Sequence, residues 1–144
     1  MTRVRLIRRA AIAGCVVLAA IQFVPVDRDN PPVRFELVAP DSVMAVFRRA
    51  CYDCHSNETR WPWYNRVAPF SWLVSSHVKK GRGDLNFSDW PVFDFELQDL
   101  ARKDIYEQVS KGKMPLRSYT VIHREARLDE ADRELLIRWA EGGY

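Results

Sequence analysis

Histidine and cysteine are scarce in this chain, with three of each among 144 residues. There is no second Cys-x-x-Cys pair and no close pair of histidines, which disfavours a four-ligand structural zinc site. Internal repeats are absent, so solenoid and propeller architectures drop out. Alternation of apolar and polar residues never lasts long enough to mark a strand. A surplus of basic charge is also missing from most of the chain. Of the 22 Lys+Arg, Arg3, Arg5, Arg8 and Arg9 lie in the first nine residues, and the remaining 18 face 19 Asp+Glu. That balance lacks the basic face of a nucleic-acid binder. What is present suits one folded domain rather than a disordered chain, since 47% of residues are hydrophobic and 28% charged.

The four arginines precede an apolar run, Ala10 to Val26, broken only by Gln22 and Pro25. Arginines before an apolar run follow the positive-inside rule. Extended back over Leu6 and Ile7, the run is just long enough for a single membrane span. Residues 1–26 are therefore expected to be an anchor that holds the protein on a bacterial inner membrane. A cleaved signal peptide competes, with Val17-Leu18-Ala19 as the cleavage site and a soluble periplasmic product. A third reading takes Ile12-Ala13-Gly14-Cys15 as a lipobox with Cys15 lipidated. The apolar run continues past any cleavage site, which favours the anchor. All three readings put the rest of the chain outside the cytoplasm. Residues 27–40, with Pro31-Pro32 among charged neighbours, read as an extended linker.

Residues 41–144 are expected to form an all-α domain. Asp41 or Ser42 is placed to cap a helix whose apolar face is Val43, Val46, Phe47 and Ala50. Ser56 to Pro69 reads as a packed loop. Ser71 is expected to start a short helix through Trp72, Leu73, Ser76 and Lys80, stopped by Gly81. Glu96 to Lys111 is expected to be helical on Leu97, Leu100, Ile105 and Val109, ending at Gly112. The last helix has Asp129 as cap, Asp132 in its first turn and a buried face of Ala131, Leu135, Leu136 and Trp139.

The first of these helices runs into Cys51-Tyr52-Asp53-Cys54-His55. Cys-x-x-Cys-His is the attachment pattern for c-type haem. Two thiols at this spacing reach two vinyl groups on one ring edge, and the next residue lies under the iron. Cys51 and Cys54 are thus expected to hold one covalent haem c, with His55 as proximal iron ligand. A zinc site, a thiol–disulfide oxidoreductase and a plain disulfide are the alternatives. Zinc lacks a second Cys pair or closely spaced histidines. An oxidoreductase pair usually opens a helix, whereas here a helix leads into it. A plain disulfide leaves His55 unexplained.

Met114 is the expected distal ligand. It follows the helix stop at Gly112 and precedes Pro115, which restricts its backbone. Thioether sulfur opposite histidine raises the potential of a haem iron. His77 and His123 are its rivals. Trp61, Trp63 and Trp72 are candidates for the wall of a haem pocket, with plain packing as the alternative. Arg60 and Arg66 could pair with haem propionates, against a default role as solvated surface. Lys79, Lys80, Arg82, Lys111 and Lys113 are candidates for a basic docking rim.

Several separated motifs then carry a resemblance. Cys51 to Trp63, Val67-Ala68-Pro69 with Ser71-Trp72, and Leu85-Asn86-Phe87-Ser88 with Trp90 occur in order. Gly112-Lys113-Met114-Pro115, Tyr119 and His123 to Leu128 follow them. Together they resemble the bacterial haem-binding-domain family of small mono-haem c-type proteins. The resemblance implies a cytochrome-c-like fold with a long insert after the haem motif, and it gives His123 a place in a shared motif. The expected function is single-electron transfer by a tethered periplasmic cytochrome that serves redox partner proteins and is not an enzyme. The alternative is a haem-based sensor or a peroxide-reactive haem protein.

Overall fold

A computed structural model describes residues 2–142. Among these residues seven α-helices follow in chain order: α1 (Thr2–Ala20), α2 (Asp41–Ala50), α3 (Tyr52–His55), α4 (Phe70–Asp84), α5 (Phe95–Ser110), α6 (Arg117–Ile122) and α7 (Glu130–Ala140). Among the described residues there is no strand, only an isolated bridge between Phe35 and Asp89. The expected all-α class is found. The chain divides into two compact units. One holds the residues up to Asp29 together with Trp61–His77, and the other holds Asn30–Arg60 together with Val78 onward.

In the first unit the Gln22 side chain accepts from the Ala68 N–H at 2.9 Å and donates to the Ala68 carbonyl at 3.2 Å. Arg28 clamps the Asn65 carbonyl from two nitrogens, at 3.1 and 2.8 Å. The expected membrane-spanning helix needs correction. No helix among the described residues is long and apolar enough to cross a membrane. The physical reason is that α1 spends its first half on four arginines and ends at Ala20. The apolar part that remains, Ala10–Ala20, rises about 16 Å, roughly half of a ~30 Å hydrocarbon core.

The second unit is built around one core cluster. Val43, Val46, Phe47 and Ala50 are all buried, as their helical spacing predicts. Neither Asp41 nor Ser42 caps α2, because Pro40 precedes it directly and its carbonyl takes the Val43 and Met44 N–H groups at 2.9 and 3.0 Å. α5 and α7 pack on one another through Ile105 and Val109 on one side and Leu136 and Trp139 on the other. Leu97 and Leu100 do not join them; they are 50% and 53% exposed. Leu100 lies roughly 140° around the helix from Ile105, too far to share its face. Ala131 is exposed too, whereas Leu135 is half-buried against the core. α7 begins with the expected cap: Asp129 accepts from the Asp132 N–H at 2.8 Å, and Asp132 returns the bond to the Asp129 N–H at 3.2 Å.

Three expectations shift further. α4 begins at Phe70 and runs past Gly81 to Asp84. α6 forms where only a loop was expected. The linker is not slack along its length, because Leu37 is buried and its N–H donates to the Phe87 carbonyl at 2.8 Å. Arg34 and Phe35 likewise donate to the Ser88 carbonyl, at 3.0 and 3.2 Å.

Phe87 is the hub of the core. Its ring lies 4.8 Å from Phe47 and stacks 5.3 Å from Tyr52, and it is 1% exposed. Phe87→Ala should cost about 3–5 kcal/mol of unfolding free energy. Leu97→Ala should change it by less than about 1 kcal/mol. Urea denaturation of both variants checks the assignment of the buried face.

Candidate functional site

α2 ends where the motif begins. The Cys51 N–H still donates to Phe47 at 2.8 Å, and the Cys51 carbonyl then accepts from Cys54 and His55 at 3.1 and 2.9 Å. The single turn of α3, with Cys51 as its N-cap, therefore brings both cysteines and the histidine together. Both thiols are unpaired. Burial pushes Cys51 up to about 12, aided by Cys54. Burial also pushes Cys54 up to about 11, aided by Asp53. Both stay protonated at neutral pH. An oxidoreductase nucleophile needs the reverse, a depressed thiol pKa.

His55 is fixed by the segment that follows α4. Its Nδ1 lies 3.0 Å from the Leu85 carbonyl. A carbonyl only accepts, so Nδ1 carries the proton and Nε2 keeps its lone pair. This is how a ligating histidine is usually oriented. Burial also holds the imidazole below its usual pKa, against smaller opposing bonds from the Leu85 and Gly81 backbone. The ring is therefore neutral at pH 7, as a ligand must be.

The residues around Leu85 hold the loop after the motif. Phe87 N–H donates to the His55 carbonyl at 2.8 Å. The Asn57 N–H donates to Ser88 Oγ, and Asn86 Nδ2 donates to Asn57 Oδ1, both at 3.0 Å. Arg82 donates to the Ser56 carbonyl at 2.8 Å and to Thr59 Oγ1 at 2.9 Å. Arg82 thus belongs to this framework rather than to a docking rim. Of that expected rim, Lys80 pairs with Asp84 and Lys111 with Glu107, each at 2.7 Å.

Asp53, between the two cysteines, is a second anchor. It accepts from the Tyr119 hydroxyl at 2.6 Å and from Arg60 Nε at 3.2 Å. Burial and the Asp53 bond raise the Tyr119 pKa, so the hydroxyl stays a donor. The sequence reading left Asp53 and Tyr119 without a role. An acid inside the motif and a tyrosine in a shared motif were the only available signals.

Residues 16–142 match the haem-binding domain family. The chain belongs to that family. No curated protein and no solved structure matches the chain.

The donor set of this haem-binding domain fits its cofactor: two unpaired thiols and an imidazole with Nε2 left over, on one turn. No group of three or more His, Cys, Asp or Glu that could hold a metal ion occurs among the described residues. Met114 lies in the loop between α5 and α6 of the same unit as His55, half-buried, and its peptide bond to Pro115 is cis. The Lys113 and Met114 N–H groups both donate to the Gln108 carbonyl, at 2.9 and 3.2 Å. His123 ends α6. Its ring stacks 4.3 Å from Tyr119, and its Nδ1 lies 3.2 Å from Glu125 Oε1. His77 falls in the first unit, as do Trp61, Trp63, Arg66 and Trp72. Trp63 is 78% exposed. The Trp61 indole N–H and the Asn65 side-chain amide are buried with no partner.

Gly81 explains why α4 does not stop there. A Cβ at this position would sit 2.5 Å from the Cys54 carbonyl oxygen and 3.2 Å from Cys54 Cβ. The glycine lets α4 press on the haem motif while remaining helical. At Gly83, two residues further along α4, a Cβ would meet nothing within 4 Å. Gly81→Ala should therefore destabilise the protein by about 1–3 kcal/mol. Gly83→Ala should be neutral or stabilising by up to about 1 kcal/mol through helix propensity. Thermal denaturation of the pair separates close approach from helix-breaking.

Proposed function

We propose that this haem-binding domain is a mono-haem c-type cytochrome that carries single electrons outside the cytoplasm. The observation that carries the reading is the His55 Nδ1 bond to Leu85, beside two unpaired thiols on the same turn. Cys51 and Cys54 would form the thioethers, and His55 Nε2 and the Met114 sulfur would be the iron ligands. Bound haem c supplies a one-electron iron couple. The protein holds a neutral imidazole in one tautomer, keeps the thiols unpaired for attachment and places the Met114 loop. The N-terminal arginines and apolar run act as the export signal that thioether formation outside the cytoplasm requires. A redox partner protein takes or gives the electron, and no substrate bond is made or broken.

A sensor or peroxide-reactive protein would need a polar side chain at an open sixth position. His123 is the natural candidate, but its ring is already engaged by Tyr119 and Glu125.

Co-expression with haem-attachment machinery tests this. The chain should run with the mass of one covalent haem, and a Cys51→Ala, Cys54→Ala double variant should not. The ferrous spectrum should be low-spin and indifferent to carbon monoxide. Met114→Ala should lower the reduction potential and admit carbon monoxide. An unchanged spectrum and potential in that variant would remove Met114 from the iron, and a colourless wild-type chain would overturn the whole reading.

A further inference from the structure

The second unit contains a cavity beside the Met114 loop. It holds about 400 Å³ and is lined by Gly112, Pro115, Arg117, Thr120, Arg127 and Arg133, with one apolar neighbour. Three guanidinium groups border it, and no carboxylate does. Arg117 and Arg127 are exposed and Arg133 is half-buried.

Their bonds within the chain leave most of their donors over. Arg127 gives Nε to the Thr120 carbonyl at 3.0 Å, and Arg133 gives Nη1 to the Val109 carbonyl at 3.2 Å. Both acceptors are neutral, so neither bond offsets the charge. Elsewhere in this unit Arg48 meets Glu36, Arg49 meets Asp132 and Arg60 meets Asp53. The lining of this cavity departs from that pattern. Like charges around a shared hollow repel one another, and a multivalent anion reverses the sign of that energy. Guanidinium forks match carboxylate and phosphate oxygens in pairs.

We propose that this cavity binds a small free oxyanion of the phosphate or polycarboxylate class. Its volume lies in the range of small-molecule sites and exceeds what a single water needs. The chemistry selects charge and oxygen geometry rather than an apolar body, because three guanidiniums and Thr120 dominate the walls.

Calorimetric titration of the haem-loaded protein tests it, with inorganic phosphate and citrate as separate probes at low ionic strength and chloride as control. One saturable site is expected, indifferent to chloride at equal ionic strength. Arg117→Gln and Arg127→Gln should each weaken binding at least about tenfold, as loss of a charge-assisted bond implies. Both side chains are exposed, and circular dichroism checks that the variants fold. Equal affinity in the wild type and the double variant would overturn the proposal, as would no binding of either anion. If no anion binds and the double variant lowers the haem potential at high salt, the arginines serve the haem's own propionate instead.

Discussion

The bond from His55 Nδ1 to the Leu85 carbonyl decides which imidazole nitrogen is left for a metal. Much of the second unit is arranged to keep that carbonyl in place. Leu85 precedes Asn86, Phe87 and Ser88, whose backbone and side chains bond to His55, Asn57 and the 34–37 segment. Phe87 then enters the core between Phe47 and Tyr52. A displacement of Phe87 would thus move the carbonyl that orients the His55 ring. Core packing and the orientation of His55 are in this sense one constraint, because the same four residues serve both.

The opposite side of the motif is held through Asp53. Tyr119 reaches it from α6, and α6 follows the Met114–Pro115 step directly. The loop bearing Met114 is consequently tied at both ends. Its start is bonded to the Gln108 carbonyl, and the helix at its end is bonded to the residue between the cysteines. A flexible thioether gains a defined position when its backbone is fixed on either side. His123 finds its place in the same arrangement. Stacked on Tyr119, it packs against the residue that grips the motif.

The parts legible in the sequence were those governed by local rules. Val43, Val46, Phe47 and Ala50 announce α2 by spacing, Asp129 and Asp132 announce the start of α7, and the Cys-x-x-Cys-His run announces its chemistry. What was not legible depends on partners distant in the chain. Gly81 reads as a helix stop by its own propensity, but 27 positions earlier Cys54 leaves no room for a Cβ, and that contact keeps glycine inside a continuing helix. Arg82 reads as surface charge because its acceptors, Ser56 and Thr59, lie more than twenty residues away. The apolar run after the N-terminal arginines reads as a span from its flanking charge, composition and length. Its helix ends at Ala20, so composition overstated the apolar rise. α6 is too short for any periodic signal to reveal it.

Charge shows the same limit and also what three dimensions add. The near balance of acidic and basic residues beyond the N-terminus suggests a surface without electrostatic character. The fold sorts those charges unevenly. Arg49, Arg60 and Arg82 are consumed in bonds that fasten the haem motif and its loop to the rest of the unit. Arg117, Arg127 and Arg133 converge on one hollow with no acid to oppose them. Neutrality of the whole is therefore compatible with a local field, and the field falls beside Gly112 and Pro115, the residues that bracket the Met114 loop. Guanidiniums that already have carboxylate partners stiffen a structure, whereas those without them leave a site whose counter-charge must come from outside the chain.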